Sequence, residues 1–258
     1  MTEYALITGA SKGIGNSIAL LLAKAGYNLL LVARSASALE ELSSEIQREY
    51  QVEVSYLAID LSDPVASEMV STWCSSKTSA LTILVNNAGF GLWGPFADLP
   101  LAEQMNMLHL NVSTVIELSH HLLPLLKQQK QSYILNVAST AAYQALPTLS
   151  IYAATKTFVL NFSRAIRYEL RDSSVSVSCL SPGPTDTAFA SRAGLDVFAD
   201  LAEKFNMTPE AVAQAGLKGM FSKKAEIIPG FTNKVSSFFA RHMPKAVVER
   251  VGAGLYKK

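Results

Sequence analysis

Short runs of aliphatic and β-branched residues recur along the chain, separated by longer stretches in which apolar residues fall three and four apart. The runs are YALIT near residue 6, NLLLVA near 30, VSYLAI near 56, LTILVNN near 84, YILNVAS near 135 and VSVSCLSP near 178. A strand that is apolar on both faces must be covered on both faces. The runs therefore predict a Rossmann-like, doubly wound α/β fold, a parallel sheet with helices on either side. The intervening segments supply those helices. Ala36 to Tyr50 sets Leu39, Leu42 and Ile46 at helical spacing among Glu40, Glu41, Glu45 and Arg48, the pattern of a helix buried along one stripe. Ligands of such folds bind at the carboxyl ends of the strands.

After Pro182 the pattern changes. Glycines and prolines scatter, the apolar groups are short, and only Ala225 to Ile228 offers a further piece of sheet. Helices and loops are expected over about 183–258, a mainly helical substrate region on a single domain spanning 1–258. Within it, Asn233 to His242 reads as an amphipathic helix packed against the domain rather than on a membrane, because Lys234 and Arg241 are its only strong cations.

Composition narrows the function classes. A chain of 258 residues with 49% hydrophobic content can bury a substantial core. Its net charge of +1, from 22 basic and 21 acidic residues without a run of like charge, lacks the electrostatic footprint of a nucleic-acid binder. Cys74 and Cys179 are far apart and neither belongs to a CxxC pair, so neither a disulfide framework nor a zinc site is expected. The histidines His109, His120, His121 and His242 lack ligand-like partners in sequence, and no metal is expected. The chain enters an apolar strand at once, without the pattern of a signal peptide. Its most apolar segment, Ile18 to Ala33, is interrupted by Lys24, Gly26 and Asn28. A soluble, cytoplasmic protein without a membrane span is the expectation.

The first strand runs directly into TGASKGIG, Thr8 to Gly15, and then into the helical pattern NSIALLLAKAG. Glycines let the main chain turn sharply and approach a ligand, while a helix N-terminus presents unpaired N–H groups and partial positive charge. A glycine turn between a first strand and a helix is a phosphate site. The spacing Gly9, Gly13, Gly15 departs from G-x-G-x-x-G. Four further features lie downstream in order: NNAG at Asn86 to Gly89, Asn111, then Ser139 with Tyr152 and Lys156, then SPGPTDT at Ser181 to Thr187. Together they resemble the short-chain dehydrogenase/reductase family over roughly residues 4 to 190.

The resemblance implies a nicotinamide dinucleotide held by Gly9, Ser11, Lys12, Gly13, Ile14 and Gly15 at its phosphates. It implies Asp60 and Leu61 at the adenine and Asn87, Ala88 and Gly89 along the ribose. It also implies Pro182, Gly183, Thr185 and Thr187 around the nicotinamide. An NAD site places an acidic residue at the end of the second strand to bind the ribose hydroxyls. Here that region reads LLLVARS, and Arg34 is positioned to pair with a 2′-phosphate, with Lys12 as a second cation, so NADP(H) is the expected cofactor.

In SIYAATK, Tyr152 and Lys156 stand one helical turn apart. A phenol ionises near pH ~10, and lowering that by two or three units requires roughly 3 to 4 kcal/mol. One exposed lysine supplies about 1 kcal/mol, so a positively charged nicotinamide in a shielded cleft would have to add to it. By the resemblance, Tyr152 is the acid or base, Lys156 binds the ribose and tunes Tyr152, Ser139 holds the substrate oxygen, and Asn111 holds a water that links Lys156 to solvent. The absence of a G-x-S-x-G elbow argues against a serine hydrolase. The expected reaction is reversible carbonyl/alcohol interconversion on a small or hydrophobic ketone, aldehyde or acyl compound. Phe90, Trp93, Phe96, Phe189 and the aromatic tail are candidates for an apolar pocket, although core packing explains each as well. The family also implies a homodimer or homotetramer, formed through the helices that carry Asn111 and Tyr152. The competing class is a nonenzymatic NADP-binding regulator, whose signature would be a broken catalytic set.

Overall fold

The structure, a computed structural model, describes residues 3–187, 193–194 and 206–255. Each apolar run is a strand: β1 (Tyr4–Thr8), β2 (Asn28–Ala33), β3 (Val54–Ala58), β4 (Leu81–Asn86), β5 (Ser132–Val137) and β6 (Val175–Leu180). A seventh, β7 (Glu226–Ile227), lies inside the short tail segment expected to extend the sheet. All pair in parallel, in the order β3-β2-β1-β4-β5-β6-β7.

Successive strand residues face opposite layers, and this alternation splits the core in two. Ala5, Ile7, Leu29, Leu31, Ile83 and Val85 pack on one side against α1 (Gly13–Lys24) and α2 (Ala36–Tyr50), joined there by α7 (Pro209–Phe221). Leu6, Leu30, Leu84 and Ile134 pack on the other against α3 (Ala66–Lys77), α5 (Thr114–Lys127) and α6 (Ser150–Glu169). Leu39, Leu42 and Ile46 are the buried stripe of α2, as their spacing requires. Strand β3 departs from burial on both faces. It is an edge, and only Val54 of its five residues is buried.

Between α4 (Leu101–Leu108) and α5 the helix widens into a π-turn over His109–Ser113, centred on Asn111. The order of strands reverses between β1 and β4, so the loops after them open the crevice in which ligands of doubly wound sheets bind.

The tail forms α7, then α8 (Phe231–His242) and α9 (Lys245–Leu255). Helix α8 packs against the domain, and it does so through its polar face. Asn233, Ser237 and Arg241 face the body, whereas Phe231, Phe238 and Phe239 are exposed. The reason is local. The surface beneath α8 offers the carbonyl of Pro229 and the carboxylate of Glu226, groups that a polar face satisfies and an apolar one would strand.

Candidate active site

The glycine turn is built by close approach. Gly9 and Gly13 have φ of +65° and +60°, a region that side chains rarely occupy. A Cβ on Gly15 would stand 2.3 Å from the Gly9 carbonyl oxygen and 2.5 Å from Asn87 Nδ2. Lys12 is the N-cap of α1 and makes no side-chain capping bond among the described residues, which leaves the first-turn N–H groups facing the turn. The NNAG segment is tied to this turn through Thr8. The Thr8 hydroxyl donates to the Val85 carbonyl (3.2 Å) and accepts from the N–H groups of Asn87 and Ala88 (both 3.0 Å), while Asn87 Nδ2 donates to the Thr8 carbonyl (2.9 Å). The sequence motif TGASKGIG contains Thr8 without marking this role; a threonine ending an apolar strand directly before a glycine turn is the available signal.

Arg34 lies exposed at the end of β2, with NH1 3.9 Å from Asp60 Oδ2. Asp60 also accepts from the Ser62 N–H (3.0 Å) and hydroxyl (2.7 Å), so it organises the turn after β3 and orients the guanidinium. Leu61 is buried in the core, and its carbonyl accepts from Thr114 Oγ1 (2.9 Å).

Gly89, Asn111 and Lys156 converge. A Cβ on Gly89 would meet Asn111 Oδ1 at 2.9 Å and Lys156 Nζ at 3.4 Å, so glycine is what lets these side chains meet the backbone here. Asn111 is buried. Its Oδ1 accepts from the Phe90 N–H (3.1 Å), and its Nδ2 donates to the Phe90 carbonyl (2.9 Å) and to Thr155 Oγ1 (3.1 Å). Both amide hydrogens are thereby spent, and the second lone pair of Oδ1 is the side chain's remaining place for a water.

Tyr152 and Lys156 are both buried on α6, with Nζ 5.8 Å from the phenol ring centroid. Nζ donates to the Val137 carbonyl (3.0 Å), and burial lowers the pKa of this ammonium to about 8. Lys156 thus points past the ring to the end of β5. Ser139 lies two residues beyond that strand and starts a single 3₁₀ turn, Thr140–Tyr143, where its Oγ accepts from the Ala141 N–H (3.1 Å). The Thr140 N–H donates to the Pro182 carbonyl (2.8 Å), which fastens the serine turn to the loop after β6. On that loop, Thr185 Oγ1 donates to the Gly183 carbonyl (3.0 Å), and Thr187 is the side chain that a Cβ on Gly13 would meet, at 3.0 Å.

A second group of residues supports these loops from behind and carried no motif in the sequence. The Tyr143 hydroxyl contacts Ser181 Oγ (2.9 Å) and donates to Glu226 Oε1 (2.7 Å), and burial raises its pKa well above the usual phenol value. Glu226 also pairs with Arg164 (3.3 Å) and with Arg241 of α8, whose guanidinium lies 4.2 Å from the Tyr143 ring centroid. A Cβ on Gly183 would collide with the Asn233 side chain at 2.2 Å. Helix α8 therefore holds the backs of both the serine turn and the loop after β6.

Of the apolar pocket candidates, Phe90 is core and Phe96 is exposed, while Trp93 is half-buried on a segment whose backbone is pinned to Ala193 (2.8 Å) and, through Gly94, to Thr148 (2.9 Å). Phe189 lies outside the described residues. Among the described residues no cluster of side chains suits a metal ion, and no helix is long and apolar enough to cross a membrane.

A parallel sheet with a glycine turn at its first crossover and a tyrosine–lysine pair at its carboxyl edge defines a dinucleotide-type α/β protein. The family model described as short chain dehydrogenase matches residues 3–197, and the chain belongs to that family. It is 36% identical over 180 residues to a very-long-chain 3-oxoacyl-CoA reductase of Laccaria bicolor, covering 69% of this chain and 53% of that protein. It is 33% identical over 187 residues to an NADP-dependent 3-hydroxy acid dehydrogenase of Schizosaccharomyces pombe, covering 72% of each. Among solved structures, a short-chain dehydrogenase from Sphingobium yanoikuyae in complex with NADPH superposes with a TM-score of 0.83 at 28% identity, covering 95% of this chain and 97% of that one. The chain spans about half the length of the very-long-chain reductases it matches, 53% of the Laccaria protein and 58% of the human one.

Proposed function

We propose that the chain is an NADP(H)-dependent oxidoreductase that interconverts a carbonyl and an alcohol. The observation that carries this reading is the meeting of Gly89, Asn111, Tyr152 and Lys156 beside the glycine turn at the carboxyl edge of the sheet. The cradle formed by Gly9, Gly13 and Gly15 before the first turn of α1 fits a dinucleotide pyrophosphate, because a Cβ would fill it. The bound nicotinamide would supply or accept the hydride.

The chain's own residues manage the proton and the substrate oxygen. Ser139 Oγ hydrogen-bonds that oxygen and orients it, and the Tyr152 hydroxyl gives a proton to the forming alkoxide or removes one from the alcohol. Lys156 binds the ribose and stabilises the phenolate through space, since its Nζ bonds the Val137 carbonyl. Asn111 fixes the π-turn and the Phe90 backbone around a water that continues the proton path. Asn87, Ala88 and Gly89 border the ribose, Asp60 and Leu61 the adenine, and Pro182, Gly183, Thr185 and Thr187 the nicotinamide.

Exposed Arg34 and Lys12, with no carboxylate at the end of β2, support NADP(H) over NAD(H). The NADPH in the Sphingobium structure agrees with that choice. The substrate class is a small or hydrophobic ketone, aldehyde or acyl compound; the similarity to a 3-oxoacyl-CoA reductase and to a 3-hydroxy acid dehydrogenase supports the acyl and small-acid members of that class. Copies of the chain pair through α4, α5 and α6, where Leu101, Met105 and Phe158 are exposed.

The test follows NADPH absorbance against a panel of aldehydes, diketones, hydrophobic ketones and 3-oxoacyl thioesters. Oxidation of NADPH by a member of the panel is expected; binding without oxidation across it would favour the regulator. Arg34→Ala should erode the preference for NADPH over NADH by about tenfold or more, the value of a charge-assisted phosphate contact. An unchanged preference would overturn the cofactor assignment.

A further inference from the structure

Helix α8 is amphipathic in the inverted sense. Phe231, Val235, Phe238, Phe239 and His242 fall at i, i+4, i+7, i+8 and i+11, one stripe of the helix. The polar residues Asn233, Ser237 and Arg241 face the body. Phe231 is 81% exposed, Phe238 58% and Phe239 55%, and the Phe238 and His242 rings stack on each other at 4.2 Å rather than on the protein. Three contacts fix this orientation. Asn233 sits on Gly183 and Arg241 on Glu226, while Gly252 of α9 packs against Leu146, whose Cδ2 would lie 3.1 Å from a Cβ there. The stripe is therefore a fixed outward face, which continues past the helix end at the exposed Met243.

Charge distinguishes this region as sharply as hydrophobicity does. From Phe231 to the C-terminus the sequence carries six basic residues, Lys234, Arg241, Lys245, Arg250, Lys257 and Lys258, against the single acid Glu249. That is +5 in 28 residues, which leaves the rest of the chain, with 16 basic and 20 acidic residues, at −4. Exposed aromatics on a surface helix, with Lys234 beside them and an excess of cations in the segment that follows, match the physical requirements of an anionic bilayer interface, where rings enter the headgroup region and cations meet lipid charge; Arg241 is not among these cations, because it pairs with Glu226. A second copy of the chain fits less well, because a two-fold pairing would bring two tails of the same net positive charge together.

We infer that the α8 stripe, together with the exposed cations Lys234 of α8 and Lys245 and Arg250 of α9, is a peripheral docking surface for an anionic lipid bilayer. The surface spans nothing; it seats the chain with the tail against the headgroups. The inference stands independently of the proposed reaction, because lipid binding requires no turnover.

The experiment is vesicle flotation of the full chain, with pure phosphatidylcholine compared with phosphatidylcholine containing about 30% phosphatidylserine. The protein should float with the anionic vesicles at least about tenfold more than with the neutral ones, and raised salt should release it. The double variant Phe238→Ser, Phe239→Ser should lower binding by about tenfold or more, with its melting temperature and its light-scattering mass unchanged. Three results would overturn the inference: no preference for anionic vesicles, equal binding by the double variant, or a wild-type oligomer that the variant dissolves. The last would mean that a second copy covers the stripe.

Discussion

Lys156 is a buried ammonium whose one hydrogen-bond acceptor among the described residues is the main-chain carbonyl of Val137, and this makes it costly before any ligand arrives. Its pKa falls from 10.5 to about 8 through desolvation, which corresponds to about 3 kcal/mol of native-state destabilisation near neutral pH. The folded state releases this proton at lower pH than the unfolded chain does. The unfolded state therefore binds more protons between pH 8 and 10.5, and stability rises with pH across that window. Lys156→Met should accordingly stabilise the ligand-free protein near neutrality by about 1 to 2 kcal/mol, the gain being reduced by the orphaned Val137 carbonyl. Urea unfolding of both proteins at several pH values checks this. The advantage of the variant should shrink as pH rises through the window, and an advantage independent of pH would contradict the account. At this scale, residues that belong to motifs were legible, because Gly9, Asn111, Ser139, Tyr152 and Lys156 stand in recognisable contexts. Tyr143 and Glu226 were not. A tyrosine four residues after Ser139 and a glutamate in a two-residue strand look ordinary until the chain brings them within 2.7 Å.

Among the elements, the strands were legible because burial on both faces writes continuous apolar runs, and α2 was legible from its single stripe. The π-turn at Asn111 left only a hint, an asparagine in an otherwise helical stretch, and that weakly helix-favouring side chain is the one bonded to the Phe90 backbone. The face that α8 turns to the body was not legible, because helical periodicity gives the direction of an apolar stripe relative to the polar one, and not which of the two meets the body. Glu226 decides that orientation. Replacing it with alanine removes the partner shared by Tyr143, Arg164 and Arg241, at a cost of about 1 to 3 kcal/mol, the lower end applying because both arginines are partly hydrated. The serine turn and the loop after β6 should loosen together. In Glu226→Ala, kcat should therefore fall more than NADPH affinity does, and Glu226→Gln, which keeps an acceptor for Tyr143, should recover part of the loss. Thermal melting, steady-state kinetics and NADPH titration measure these effects. Equal loss in both variants would mean that the carboxylate's charge, rather than the Tyr143 bond, holds the turn.

For the whole molecule, strand order determines what can meet. Placing β4 beside β1 brings NNAG to the glycine turn, and placing β5 and β6 next in line brings Ser139 and Pro182 to the same edge. Residues as far apart in sequence as Gly9 and Pro182 could be grouped from motif order alone only because a doubly wound sheet gathers loop after loop at one end. The tail escaped that logic, being built from contacts between Asn233 and Gly183 and between Arg241 and Glu226 that no periodicity encodes. The central claim is that this assembled edge is a proton-transfer site that acts with a bound nicotinamide. Tyr152→Phe removes one hydroxyl and leaves the aromatic packing in place. The most direct measurement is NADPH binding and turnover in that variant, using whichever carbonyl the native protein reduces. NADPH affinity within about twofold of native with turnover reduced by about a hundredfold or more is the predicted result; native turnover in the variant would contradict the account.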